Sequence, residues 1–265
     1  MTSDWTLRST GWTATESDQL PDGMVRIRVS SQLADKDTGR RSAREDGSSF
    51  CGEVIAVAES TTRLRPGDAV AGFSPLGATL TMPPTAVCPV PSGLARERAA
   101  LLPLLSVAAR AVRLARPREG THAVVLGQGT FAEIVALALR ATGVPFVVVS
   151  MSVPDSHSDG TPASIAAEPD IAIDTSGDPA LVLQLFERAA RLARVVLAGS
   201  PRGRAVDVDL YRTVHQRGLE VIGVSDDGPL APDAAPADRA HDLAQARQLL
   251  DTRGEDIIGR LVVHS

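Results

Sequence analysis

The chain has 265 residues and a mass of 27.7 kDa, room for one large or two small domains. Hydrophobic residues at 43% and charged residues at 22% exclude a mainly disordered chain. A net charge of −5 argues against a broad nucleic-acid or anionic-membrane surface, and 3% aromatic residues are too few for base-stacking platforms. Two cysteines, Cys51 and Cys88, cannot build a disulfide framework or a Cys-rich zinc site. No apolar run approaches ~20 residues, so no membrane span is expected. The start lacks the apolar core of a signal peptide. A soluble, cytoplasmic protein is the expectation. Of the 27 basic residues only Lys36 is a lysine, a bias of genomic composition that nevertheless singles that residue out.

The first part reads as β-rich. Residues 25–29 (VRIRV) alternate apolar and charged side chains, as a half-buried strand does. Residues 30–49 are polar and read as a loop. Residues 52–58 (GEVIAVA) form the next strand, 65–68 (RPGD) a tight turn and 69–73 a short strand. Residues 80–89, interrupted by Pro83 and Pro84, suit an edge or an irregular connection.

The second part changes period. Residues 94–115 are Ala/Leu-rich with helical spacing. Residues 122–126 (HAVVL) and 145–150 (PFVVVS) read as strands of a sheet covered on both faces. Between them, 133–142 is a helix closed by Gly143. Residues 153–163 read as a loop, 170–175 as a strand, 179–192 as a helix opened by proline and 194–198 as a strand. A short helix (210–216) and a strand (220–224) follow. Repeated strand–helix units imply a parallel doubly wound sheet. Residues 226–237 read as a mobile Pro/Asp/Ala segment, 236–253 as a helix and 257–263 as a last strand.

The strongest motif is residues 127–132, GQGTFA, between a strand and a helix. It matches G-x-G-x-x-(G/A): the first glycine allows a tight turn, the second a close backbone approach to a pyrophosphate, and small Ala132 lets the helix pack on the strand. The helix N-terminus then offers N–H groups to phosphates. The expected cofactor-binding residues are Gly127, Gln128, Gly129, Thr130 and Phe131. NAD sites usually place an acid at the end of the second strand. Here Ser150-Met151-Ser152 stands instead, so a 2′-phosphate is not repelled and Ser150 and Ser152 can hydrogen-bond it. NADP(H) is therefore favoured over NAD(H). Gly199 and Ser200, at a later strand end, are expected on the nicotinamide side.

The order of these segments resembles the medium-chain dehydrogenase/reductases, the alcohol dehydrogenase-like superfamily. The likeness lies in GEVIAVAESTTRLRPGDAVAGF, AALLPLLSVAARAV, GTHAVVLGQGTFAEIVALALRATG, DIAIDTSGDPALVLQLFERAARLARVVLAGSPRG and LYRTVHQRGLEVIGV, which together span most of residues 50–225. The resemblance implies an α/β fold: a GroES-like β-rich domain plus a shortened Rossmann doubly wound parallel sheet. It implies residues 1–108 as the GroES-like catalytic domain and 109–228 as the dinucleotide-binding domain. Residues 229–265 would be a C-terminal helix and strand returning to the catalytic domain. It also implies a homodimer, in which residues 220–224 pair across a two-fold axis.

The departures bear on mechanism. Where zinc members carry Gly-His-Glu, this chain has Gly47-Ser48-Ser49, and no cysteine lies near residues 30–34. Cys51 and Cys88 lack metal-ligand spacing with any histidine. No metal is expected. The gap between residues 150 and 170 is too short for the usual third Rossmann strand.

Without zinc, a proton donor or charge stabiliser must act at the carbonyl oxygen. The loop after Val29 holds the catalytic candidates, Lys36 with Asp35 or Asp37, whose plainer role is a solvated charge cluster. Tyr211 is a weaker donor candidate, for which packing is the commoner role. His122 opens a strand and His157 sits in a loop, neither with a partner in the sequence; His215 shares the Tyr211 helix and is expected to be exposed, and His264 lies in the expected last strand. The resulting expectation is a zinc-independent NADPH-dependent reductase or dehydrogenase acting on a small polar molecule. The acids Asp35, Asp37, Glu45, Asp46, Asp226 and Asp227 suit a keto-sugar or aminocyclitol of a specialised biosynthetic pathway. The alternatives are a degenerate dehydrogenase-like binding or partner protein without redox activity, and non-redox lyase or isomerase chemistry on the same scaffold. No nucleic-acid or membrane partner is expected.

Overall fold

A computed structural model describes residues 20–33, 48–59, 64–74, 77–149, 168–199, 205–224 and 235–263. The chain divides into two compact units. One comprises Met1–Ser106 with Asp227–Ser265, the other Val107–Asp226.

The first unit holds an antiparallel sheet of five strands: β1 (Val25–Leu33), β2 (Ser48–Val57), β3 (Ala69–Ser74), β4 (Thr79–Met82) and β5 (Val87–Pro89), in the order β4-β1-β2-β3-β5. The expected alternation in β1 is real: Val25 and Ile27 are buried and pack with Phe50, Val54, Val70 and Val87. Both β1 and β2 run further than expected into the polar stretch, which is not all loop. Leu33 pairs with Ser49, because pairing depends on backbone groups and tolerates polar side chains on the open face. The turn before β3 closes through Asp68 N donating to Arg65 O at 3.0 Å and Arg65 N to the Asp68 carboxylate at 2.7 Å. The two strands around Pro83 and Pro84 lie at opposite edges of the sheet, where a missing N–H costs least.

Helices α1 (Arg96–Ala99), α2 (Leu102–Ala115) and α5 (Pro236–Val263) complete the helical part outside the second sheet. Leu243 of α5 packs against Ala71 and Cys88 of the first sheet. The expected last strand over residues 257–263 is instead the end of α5. Ile257, Ile258, Leu261 and Val262 recur at helical spacing, which the apolar run taken alone conceals.

The second unit holds a parallel sheet of β6 (Ala123–Leu126), β7 (Phe146–Val149), β8 (Ile171–Asp174), β9 (Arg194–Leu197) and β10 (Glu220–Gly223), in the order β10-β9-β8-β6-β7. Helix α3 (Gly129–Arg140) joins β6 to β7, and α4 (Pro179–Arg188) joins β8 to β9. The two crossovers lead in opposite directions from the centre, so their right-handedness puts α3 and α4 on opposite faces. On the α4 face Leu181, Leu185 and Phe186 bury against Val124, Leu126, Ala172 and Val195.

The central strands β6 and β8 are buried throughout. The second strand was expected to be buried too, but Val147 is 61% and Val148 43% exposed. Among the described residues β7 ends the sheet, so it lacks a neighbour on one side. Helix α4 also stops at Arg188 rather than at residue 192. The Arg217 guanidinium donates to the carbonyls of Phe186, Glu187 and Ala189 and so closes the helix end. No described helix is long and apolar enough to cross a membrane.

Candidate functional site

The glycine motif sits where the parallel sheet ends. After Leu126, Gly127 takes φ +140°, Gln128 is extended, and Gly129 takes φ +82° as the first residue of α3. Helix α3 therefore starts four residues earlier than expected. Its N-cap, Gln128, makes no side-chain capping hydrogen bond, and its first turn holds no acid. Ala132 is buried, as close helix–strand packing requires. Gln128 is exposed, while Gly129, Thr130 and Phe131 are half-buried.

Two of the expected residues meet on one turn. A Cβ on Gly127 would lie 2.1 Å from Thr175 Oγ1, and one on Gly199 would lie 2.3 Å from Gly177 N and 2.7 Å from the Thr175 carbonyl carbon. Only glycine fits at either position while the turn keeps its shape. The segment 174–178, which sequence reasoning did not single out, thus packs behind the glycine motif. Thr175 donates to Leu126 O through both its amide (2.7 Å) and its hydroxyl (2.9 Å), tying β8 to the last residue of β6. Asp174 is buried at the end of β8. It accepts from Ser176 N (2.9 Å), Ser176 Oγ (2.6 Å) and Gly177 N (3.2 Å). Burial raises its carboxyl above the ordinary 3.8, and the bonds from Ser176 and Gly177 only partly offset this. The sequence signal was an acid at a strand end followed by Ser-Gly-Asp-Pro, the chemistry of an Asx turn and a helix cap.

The remaining expected residues, Lys36, Asp35, Asp37, Ser150, Ser152 and Ser200, lie outside the described residues, as do the acids Glu45, Asp46, Asp226 and Asp227, and also His157 and His264. Tyr211 does not pack into a core. It is 77% exposed, edge-on to His215 at 5.8 Å. His122 does have a partner: Asp170, which accepts from His122 N at 2.9 Å and lies 3.7 Å from its Nδ1. Both are exposed at the start of the sheet, far along the strands from the glycines.

The donors at hand fit a dinucleotide better than they fit zinc. Paired glycines at a helix start whose N-cap side chain makes no capping bond suit a phosphate. Zinc needs thiolate, imidazole or carboxylate ligands. Ser49, where the resemblance would place a zinc member's Glu, is buried and its hydroxyl donates to Ala100 O. Strand register sets Cys51, Ala71 and Cys88 in one row across three strands, so the cysteines are ~10 Å apart. Burial raises the Cys51 thiol and pushes that of Cys88 up to about 12, which disfavours the thiolate a metal requires. Among the described residues no three His, Cys, Asp or Glu side chains come together to hold a metal.

No protein-family model matches the chain, and no curated protein matches it. Solved structures match it over most of its length. Galactitol-1-phosphate dehydrogenase from Escherichia coli superposes with a TM-score of 0.63 at 19% identity, covering 88% of this chain and 84% of that one. The fold is that of the medium-chain dehydrogenase/reductases. Two further structures of similar fold carry nucleotide. A candidate zinc-binding dehydrogenase from Sinorhizobium meliloti 1021, bound to NADP, matches with TM-score 0.60 at 16% identity over 86% of this chain and 82% of that one. A short chain alcohol dehydrogenase from E. coli CFT073, complexed with NADH, matches with TM-score 0.63 at 17% identity over 87% and 82%. In this fold the antiparallel sheet is the GroES-like part and the parallel sheet the Rossmann part.

Proposed function

We propose that the chain is a zinc-independent, NADPH-dependent oxidoreductase of the medium-chain type. The observation that carries this is the glycine turn: Gly127 and Gly199 both pressed on the Thr175 turn, with Gly129 opening an α3 whose N-cap side chain makes no capping bond. Bound nicotinamide supplies the hydride exchanged with a carbonyl or alcohol carbon. The amides of residues 127–131 and the positive end of α3 hold the pyrophosphate. Ser150 and Ser152 hydrogen-bond the 2′-phosphate, and Gly199 and Ser200 border the nicotinamide. Lys36, oriented by Asp35 or Asp37, gives a proton to the developing alkoxide. The serines at the family's zinc positions support the metal-free reading.

A small polyhydroxylated or aminated carbonyl compound, such as a keto-sugar or aminocyclitol of a biosynthetic pathway, is the proposed substrate class. The acids Asp35, Asp37, Glu45, Asp46, Asp226 and Asp227 of the sequence support it, as does the polyol phosphate in the name of one structural relative. Equal turnover of neutral and aminated keto-sugars would sink that part. The proposed homodimer pairs β10 across a two-fold axis. Its support is an edge strand whose Val221 is 38% exposed. Light scattering reads this directly. The cytoplasm is the proposed location.

Calorimetric titration with NADPH and NADH, with metal analysis of the same sample, tests the core of the proposal. Micromolar NADPH binding without stoichiometric zinc is expected. Preference for NADH overturns the role of Ser150 and Ser152, and binding of neither overturns the enzyme. The second reading, a partner protein without redox activity, is favoured by Ser49, whose hydroxyl serves packing where the family has a ligand. Nucleotide binding without turnover of any carbonyl compound selects it.

A further inference from the structure

The peptide that joins β6 to the glycine motif is held twice by one residue. Thr175, just past the end of β8, donates to Leu126 O through its amide at 2.7 Å and through its hydroxyl at 2.9 Å. The amide bond continues the pairing of β6 with β8, in which Leu126 lies beside Asp174, and any residue but proline would make it. The hydroxyl bond is different in kind. The carbonyl is already satisfied, and an alanine at 175 would bring no buried donor in need of an acceptor, so the strand end is complete without it. The second bond uses the carbonyl's other lone pair and fixes the direction in which that carbonyl points.

That direction matters because the next residue is glycine. Gly127 stands at φ +140°, a value that residues with a side chain rarely adopt, and no Cβ limits its rotation. A trans peptide is planar with its C=O and N–H opposed, so holding the Leu126 carbonyl toward β8 turns the Gly127 N–H away from β8. The path through Gln128 into α3 starts from that plane. The residue that holds it is itself held. Asp174 O accepts from Ala198 N at 2.9 Å and from Gly199 N at 3.0 Å, and a Cβ on Gly199 would lie 2.7 Å from the Thr175 carbonyl carbon. Thr175 is buried, and its Oγ1 lies 2.1 Å from where a Cβ of Gly127 would stand. One hydroxyl therefore faces both the carbonyl it fixes and the glycine that follows.

We infer that Thr175 is a positioning residue for the dinucleotide turn: its hydroxyl locks the Leu126–Gly127 peptide plane and so sets the orientation in which residues 127–131 meet a phosphate. The inference rests on the proposed nucleotide role of that turn. Thr175 acts through Leu126 and Gly127 and not on the cofactor itself.

The test compares the full chain as wild type, T175S and T175A. Serine keeps the hydroxyl without the methyl, and alanine differs from serine by the hydroxyl alone. T175V, which keeps the branched shape without the donor, carries the comparison if T175A does not fold. Two readouts separate the lock from its use. In NMR relaxation of the ligand-free chain, the Gly127 N–H has the order parameter of rigid backbone, about 0.85, in wild type and T175S, and falls below about 0.6 in T175A. In titration, NADPH binds T175S within about twofold of wild type and T175A about fivefold more weakly, the effect of one neutral hydrogen bond. A Gly127 amide equally ordered in all three proteins overturns the lock. T175S binding as weakly as T175A overturns it too, because the methyl and not the hydroxyl then matters. NADPH affinity that T175A leaves intact, beside a lower denaturant midpoint, reduces the bond to a structural one and refutes the positioning role alone. Wild type that binds neither NADPH nor NADH refutes the nucleotide role of the turn, and the positioning role with it.

Discussion

The two helices that leave the parallel sheet begin in opposite ways. At α4 the chain answers its own donors. Asp178 accepts from Ala180 N at 2.8 Å, Pro179 needs no acceptor, and Asp174 gathers the amides of Ser176 and Gly177. At α3 the corresponding place holds glycines and Gln128, with no side-chain cap and no acid in the first turn. One turn is sealed by carboxylates; at the other the side chain of the cap residue makes no such bond, the feature on which the proposed phosphate site rests. The sealed turn also serves the open one, because Thr175 supports the carbonyl of Leu126 and fills the space beside Gly127. On the proposed function, what distinguishes the structural βα turn from the ligand turn of the same sheet is where the acceptors come from.

The largest effect is expected at the open turn. G127A forces a side chain into a left-handed backbone and onto Thr175 Oγ1, costing about 3 kcal/mol. Denaturant unfolding and NADPH titration both read it, and adding T175A recovers part of the stability but not the binding. G199A meets backbone atoms that cannot move aside and costs about 2 kcal/mol by the same unfolding measurement.

D174N comes next. Its amide faces Gly177 N–H with a donor instead of an acceptor, a loss of about 1–3 kcal/mol. The pH dependence has a definite sign. The folded carboxyl lies above its unfolded value, so its stabilising effect is full below pH 3.8 and is lost as pH rises through the raised folded value. The stability gap between wild type and D174N therefore widens on acidification across that window, and a gap that narrows contradicts the burial argument. The smallest effect belongs to D178A: about 1 kcal/mol for a lost cap, with NADPH affinity unchanged. A D178A variant that loses NADPH as G127A does would erase the distinction between the two turns.

Much of the scaffold is legible in the sequence. Period-two alternation marked β1, apolar runs marked β6 and β8, and GQGTFA marked the strand-to-helix turn, though α3 opens at Gly129 rather than at residue 133. The errors share a cause. β1 and β2 continue into polar residues because each supplies the other's backbone partners. β7 is exposed because of what stands beside it, and the tail is helical because its apolar spacing is integrated over a long element. Exposed Tyr211 and the His122–Asp170 pair depend on which elements adjoin, and no local pattern carries that.

The site divides along the same line. Glycines declare themselves in sequence, since few residues adopt a φ of +82° or +140°. The identity of the atoms that demand them does not: Thr175 lies 48 residues beyond Gly127, and Gly177 22 residues before Gly199. The buried state of Asp174 and the bond from the Thr175 hydroxyl to Leu126 likewise exist only after folding, because burial and pairing are properties of neighbours distant in the chain. Sequence by itself determined the central strands of both sheets and the glycine turn, as local backbone preference and side-chain chemistry allow. The tertiary structure alone decided which helix start is sealed, which is open and which side chain holds the peptide ahead of the glycines.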